Sequence, residues 1–280
     1  MWKIPAVTAL FVLLCLTLQT VPVEGGEADP EKLSGTLLLT GSSTMAPLMK
    51  EIGRRFQELH PAVRVEVQAG GSGRGISDAR EGKAQVGMVS RALTDKERDL
   101  YGFPIARDGV CIIAHRSNPV RSLTDRQVVE IYTGRITNWK AVGGRKAPIT
   151  VLNPRQGYGS VDLFSHYFNI RTADIRADRE VGDNPTRIKG VAEDANAISY
   201  VSIGEAERMA QAGVPIKLLP MDGVPATSRN IVSGNFPIFR PLTLVTKTLP
   251  SGLAQALIEF SLSSGVNDLI LAHDFVPYLD

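Results

Sequence analysis

The sequence predicts an α/β protein with helices covering both faces of mainly parallel sheets. Three observations carry that prediction. Short segments of strand character alternate with segments whose apolar residues recur at helical spacing. Some strand-like segments are continuously apolar, as strands covered on both faces are. Loops rich in glycine and hydroxyl side chains follow strands and lead into helices. The 280 residues suit roughly two domains of about 100–150 residues each.

The first 25 residues stand apart. Met1-Trp2-Lys3 supplies one positive charge, residues 4–18 form an uncharged apolar run, and residues 21–32 are polar. This is the pattern of a secretory signal peptide ending near Gly25 and Gly26, and it predicts a periplasmic or secreted protein. The apolar run is shorter than the ~20 residues a membrane-spanning helix needs. Cys15 follows Leu13 and Leu14 rather than small residues, so lipid attachment is not expected.

After the leader, TLLLT (36–40) predicts a strand, and Met45, Leu48, Met49, Ile52, Phe56 and Leu59 form one helical stripe. VRVEVQ (63–68) alternates as a strand, GISDAREG (75–82) is a short helix behind a glycine loop, and AQVGMVS (84–90) returns to strand. GVCIIAH (109–115) reads as a strand buried on both faces. Thr124 and Gln127 form a capping box ahead of Val128, Val129 and Ile131. PITVLN (148–153), AISYVS (197–202), PIKLLP (215–220) and RPLTLVTK (240–247) predict strands. SVDLFSHYF (160–168), GEAERMAQAG (204–213) and GLAQALIEFSL (252–262) predict helices.

Composition narrows the function. The formal net charge of +2 is too small to make nucleic acid or an anionic membrane a bulk partner. Beyond the leader Cys111 is the single cysteine, and within DGVCIIAH it reads as a buried strand residue. His60, His115, His166 and His273 lack metal-ligand spacing, so neither a metal site nor a cofactor is expected.

Four loops share a chemistry: TGSSTM (40–45), AGGSGRG (69–75), VSRAL (89–93) and NPRQGYGSV (153–161). Capping alone accounts for any one of them. All four follow strands, where ligands of open α/β sheets bind, and a helix N-terminus with free N–H groups and hydroxyls is an anion site. Arg91 and Arg155 add bidentate donors. The nucleotide motifs fail, because Ile76 follows Gly75 and no Gly-Lys-Ser/Thr occurs. An anion is the predicted ligand.

TGSSTMAPLMKEIGRRFQELHP (40–61), GGSGRGI (70–76), GMVSRALTDKE (87–97) and residues 108–144 resemble, in order, the phosphate-binding proteins of bacterial phosphate ABC transporters. AISYVSIG (197–204) and residues 240–262 continue the resemblance, and YTGRITNWKAVGG (132–144) is its most specific piece. The resemblance implies a two-lobed periplasmic binding protein-like (type II) fold with two hinge strands. Lobe one would be 33–112 plus 236–280, and lobe two 113–235. It implies a monomer that is no enzyme, holds inorganic phosphate between the lobes and delivers it to ABC permease subunits.

Carried over by position, the ligand would meet Ser43, Thr44 and the Met45 amide, Ser72, Ser90 with Arg91, and Arg155 with Gly159 and Ser160. Two departures bear on this. Val161 stands where the family has a threonine, with Ser160 as a replacement shifted by one residue. Arg91 stands where some members have an aspartate that accepts the proton of hydrogen phosphate, which keeps sulfate and molybdate as alternatives. A secreted phosphate scavenger or sensor would share the pocket. A secreted serine hydrolase using Ser43 or Ser160 is the enzymatic alternative; GYGSV lacks the Gly-x-Ser-x-Gly elbow, and His166 is the nearby histidine.

Overall fold

Residues 33–279 are described by the computed structural model; the expected signal peptide and Cys15 lie outside them. Strand β1 (Gly35–Gly41) is buried toward its C-terminal end and leads through α1 (Ala46–Leu59) to the parallel strand β2 (Val63–Ala69). Leu48, Met49, Ile52 and Phe56 make the buried stripe of α1, at the spacing that one helix face requires. Helix α2 (Ser72–Glu81) then leads to β3 (Val86–Val89), parallel to β1 on its other side.

Helix α2 starts three residues before the expected 75–82, so most of the glycine run is helix and not loop. Gly75 shows why glycine stands there. A Cβ at that position would lie 2.7 Å from the Met88 carbonyl oxygen and 2.9 Å from that of Thr40. Only a bare backbone lets α2 rest directly on β1 and β3.

Strand β4 (Tyr101–His115) begins well ahead of the expected 109–115. Helix α3 (Asp125–Tyr132) follows, with the Thr124–Gln127 capping box present in both directions. Next come β5 (Thr150–Pro154), α4 (Gly159–Tyr167), β6 (Arg179–Val181) and α5 (Asn184–Glu193). Strand β7 (Ala197–Ser202), α6 (Ile203–Gln211), β8 (Ile216–Leu219) and α7 (Ser228–Val232) continue the second half. The chain returns through β9 (Phe239–Thr246) and ends with α8 (Gly252–Leu262), α9 (Asn267–Ala272) and β10 (Val276–Pro277). Among the described residues, no helix is long and apolar enough to cross a membrane.

The strands run in the order β2-β1-β3-β9-β4-β7-β5-β6, and β8 and β10 also pair with β4. The pairs β2-β1-β3 and β7-β5-β6 are parallel, whereas every pair involving β4 or β9 is antiparallel. The expectation of mainly parallel sheets therefore holds inside each half and fails where the halves join. Residues Tyr101 to Gly109 of β4 pair with β9, and from Val110 onward β4 pairs with β7 and β8.

The core divides the same way. One cluster packs Leu37, Leu39, Met49, Phe56 and Leu244 around β1 and α1. The larger one gathers Val128, Tyr132, Trp139, Phe164 and Tyr200, with the Phe164 and Tyr200 rings stacked 4.0 Å apart. Val110, Cys111 and Ile112 pack in this second cluster, together with Phe236 and Ile238. Cys111 is fully buried, its thiol lies 3.8 Å from the Val201 carbonyl oxygen, and burial pushes its pKa well up. Trp139, the centre of the 132–144 motif, is buried and donates its indole N–H to the Asn196 carbonyl at 2.9 Å. That motif serves packing.

The Gly75 contact generates a test of the fold. Gly75→Ala should lower stability by about 1–3 kcal/mol, because the added methyl meets backbone that cannot move aside. The midpoint of urea unfolding measures it.

Candidate functional site

The carboxyl ends of β1 and β3 and the N-termini of α1, α2 and α4 converge on one small cavity. Its walls include Ser42, Ser43, Thr44, Gly71, Ser72 and Ser90. Tyr158, Gly159, Ser160, Arg187 and Arg240 complete it. Met45, Gly71 and Tyr158 hold the cap positions of α1, α2 and α4, and none of them caps with its side chain. By contrast, Thr124, Asp183 and Thr227 accept first-turn N–H groups of α3, α5 and α7. The Arg74 and Val161 amides donate to the Gly71 and Tyr158 carbonyls at the cap positions, and the Gly73 amide to the Gly157 carbonyl. Helices α2 and α4 therefore turn toward the cavity the amides of Ser72, Gly159 and Ser160 and the positive ends of their dipoles.

The two halves of the fold touch here at backbone distance. Gly73 N–H donates to the Gly157 carbonyl at 2.9 Å, and Asn184 Nδ2 donates to Thr44 Oγ1 at 3.1 Å. A Cβ on Gly159 would come within 2.7 Å of Ser72 Oγ and 2.8 Å of the Ser90 carbonyl oxygen. The wall hydroxyls are tied down: Ser72 Oγ accepts the Ser90 N–H at 3.0 Å, and Thr44 Oγ1 also accepts Arg240 Nη2 at 3.0 Å.

Two guanidiniums lie behind these hydroxyls, each 1% exposed. Arg240, on β9, pairs with Asp108 on β4: Nη2 and Nε donate to Oδ2 at 2.7 and 3.1 Å. Its Nη1 reaches the Ser90 carbonyl at 3.1 Å. Asp108 also accepts the Ser202 hydroxyl at 2.9 Å and the Gly204 amide. Burial pushes the Asp108 carboxyl pKa up, and Arg240, Ser202 and Gly204 oppose that rise.

Arg187, on α5, has no carboxylate among its hydrogen-bond partners. It donates to Asn184 Oδ1 at 2.5 Å, to the Asp183 carbonyl at 3.2 Å, to Ser160 Oγ at 3.3 Å and to the Tyr200 carbonyl. Burial lowers its pKa to about 10. Arg240 is neutralised in direct contact by Asp108, whereas Arg187 touches no carboxylate and feels Asp183 and the buried Glu205 only through space.

Of the residues expected at the ligand, Ser43, Thr44, Ser72, Ser90, Gly159 and Ser160 line the cavity. The Met45 side chain is buried in the core, and its amide donates to Ser42 Oγ at 3.2 Å. Arg91 and Arg155 are not among the walls. Glu97 takes the Arg91 fork through two 2.7 Å bonds, which turns it away from the cavity. Arg155 is exposed where the chain leaves β5, its backbone N–H tied to the Val181 carbonyl. Val161 is buried, and the Ser160 hydroxyl beside it lies at the wall. His166 is exposed on α4, and no histidine or carboxylate is a wall residue.

The sequence reading missed Arg187, Arg240, Asp108 and Asn184. Arg240 and Asp108 each head a continuously apolar strand, where a lone charge implies a buried partner. Asp183-Asn184-Pro185-Thr186 carries the start signal of α5: Asp183 Oδ1 accepts the Thr186 N–H at 3.1 Å, and proline stands in the first turn.

Parallel strands in two halves, joined by antiparallel crossing strands around a donor-rich cavity, define a two-lobed binding protein. The chain belongs to the PBP superfamily, whose domain model matches residues 26–264. It is 28% identical over 255 residues to the phosphate-binding protein PstS of Bacillus subtilis (strain 168), covering 89% of this chain and 83% of that one. An X-ray structure from Clostridium perfringens, designated a phosphate ABC transporter substrate-binding protein with bound phosphate, superposes with a TM-score of 0.80 at 30% identity. The match covers 87% of this chain and 99% of that one. An ABC-type phosphate transport receptor from Vibrio cholerae superposes with a TM-score of 0.68 at 28% identity, covering 86% and 99% of the two chains.

The Asp108–Arg240 pair generates the second test. Asp108→Asn keeps the shape and strands a buried guanidinium, so unfolding in anion-free buffer should become easier by about 3–5 kcal/mol. Urea melts of the two proteins compare them directly.

Proposed function

We propose that this chain binds inorganic phosphate in the cavity between its lobes and hands it to the permease of an ABC transporter, without chemistry of its own. Arg187 carries the proposal. A guanidinium 1% exposed, with no carboxylate in contact and Glu205 and Asp183 acting on it only through space, is incompletely neutralised, which is costly in a protein interior. An anion in the cavity supplies the missing charge.

The donors suit a tetrahedral oxyanion. Thr44 Oγ1 already accepts from Asn184 and Arg240, so its own proton is what it has to offer a ligand. Ser43, Ser72, Ser90 and Ser160 add hydroxyls, the first turns of α2 and α4 add amides, and Arg187 and Arg240 add charge. The designations of the similar proteins from B. subtilis, C. perfringens and V. cholerae support phosphate over sulfate or molybdate. A serine hydrolase needs a base beside Ser43 or Ser160, and the wall residues offer none. The leader pattern supports a place outside the cytoplasm, where an ABC importer collects its ligand. The lobes divide, in this reading, between Gly109 and Val110 on the way out and between Ile238 and Phe239 on the way back, a few residues from the expected 112 and 236.

Titration calorimetry on protein stripped of bound anion tests the proposal. Phosphate should bind without metal or nucleotide, and Arg187→Met should weaken it at least about tenfold. The anion-free melt of Arg187→Met should fall by about 1–3 kcal/mol, since the Tyr200 carbonyl and Asn184 Oδ1 lose a buried donor, and affinity is therefore read on protein shown to be folded. Arg155→Ala should change affinity less than about twofold, as expected of an exposed charge. Heat with sulfate or molybdate alone would change the ligand and keep the site. No heat with any tetrahedral oxyanion would overturn the proposal.

A further inference from the structure

Arg91 faces the other lobe instead of the cavity. Its Nη1 and Nη2 lie flat against Glu97, and Glu97 also accepts the Thr94 amide at 2.8 Å, all within the loop after β3. The remaining edge of the guanidinium, Nε, lies 2.7 Å from Asp162 Oδ2 in the first turn of α4, a charge contact that is not aligned as a hydrogen bond. Arg91 directly follows the wall residue Ser90, and Asp162 stands two residues after the wall residue Ser160. The ion pair therefore runs beside the cavity and spans the same gap. On the cavity side of that gap, the Gly159 backbone sits against Ser72 and Ser90 with no room for a side chain.

We propose that Arg91 and Asp162 form a latch that seats the first turn of α4 on the Ser72–Ser90 wall, so that the ion pair and a bound anion close one gap together. The inference rests on the cavity being the phosphate site. A half-exposed ion pair is ordinarily weak, because two long side chains lose freedom and water screens them. Here Glu97 has already fixed Arg91, which leaves only the short Asp162 to be ordered. Leu93 and Leu163 line an open pocket beside the pair, so water reaches Asp162 while Arg91 stays buried. Two interactions that favour the same closed arrangement strengthen each other, and the coupling is reciprocal. Arg91 is thus a positioning residue for the ligand, reached through α4.

The test uses the full protein, inorganic phosphate as probe, and Asp162→Glu, Asp162→Asn and Asp162→Lys. Asp162 is half exposed, so these variants leave the core and the cavity walls in place. Phosphate should dissociate about two- to fivefold faster from Asp162→Asn. It should leave Asp162→Lys more than about tenfold faster, because a second cation then faces Arg91. Asp162→Glu should stay within about twofold of the parent. Added salt should narrow the gap between parent and Asp162→Asn, since screening removes the pair. Without phosphate, Asp162→Lys should have the larger radius of gyration in small-angle scattering. Equal dissociation rates across the series would overturn the latch and leave phosphate binding standing. If the parent binds no phosphate, the ligand reading fails and the radius alone decides: an increase in Asp162→Lys supports the latch, and an unchanged radius overturns it.

Discussion

The buried pair of Asp108 and Arg240 is the interaction on which the rest of this structure depends. It sits where β4 leaves one lobe and β9 returns, the two places at which the chain crosses. Asp108 gathers the Ser202 hydroxyl and the Gly204 amide from the second lobe. Arg240 reaches Thr44 and the Ser90 carbonyl in the first. A single ion pair thereby fixes the spacing of both cavity walls. Such a pair is weak as a source of stability, because dehydrating two charges offsets most of their attraction. Its value is positional: the partners of a buried charge must stay where they are.

The balance of charge then separates the two guanidiniums. Arg240 is neutralised in contact by Asp108, whereas Arg187 is bonded to carbonyls and an amide oxygen and meets its carboxylates, Glu205 and Asp183, only through space. One arginine builds the site and the other gives it an appetite for anions. The uncapped starts of α2 and α4 act in the same direction with partial charges. On the proposed reading, an oxyanion meets donors already fixed by bonds among themselves.

What the sequence disclosed follows from how far each signal reaches along the chain. The hydroxyl and glycine loops were legible because a strand, a Gly/Ser loop and a helix start lie within a dozen residues, as in TGSSTM before α1. Asp108 and Arg240 are 132 residues apart, and no local pattern pairs them. Arg91 shows the opposite case. Its adjacency to Ser90 suggested a ligand contact, while a partner six residues on, Glu97, closes the Thr94 capping box and takes the guanidinium. Gly75 was counted in the glycine run 69–75 and at the start of the predicted helix 75–82, and it is a packing glycine inside α2. Even the most family-specific stretch proved structural, since Trp139 is buried and bonded to Asn196.

The placement of β9 between β3 and β4 reaches beyond the folded molecule. Two strands adjacent in sequence are held apart by a third that is made about 140 residues after them. Until β9 arrives, β3 and the first half of β4 have open edges, and the first lobe lacks Leu242 and Leu244 from its core. The second lobe's strands β5, β6, β7 and β8 lie within one continuous segment, so they meet first. Loop closure over so long a span makes the first lobe the slow partner in folding. A chain threaded through a membrane from its N-terminus would carry that unfinished sheet until β9 emerged.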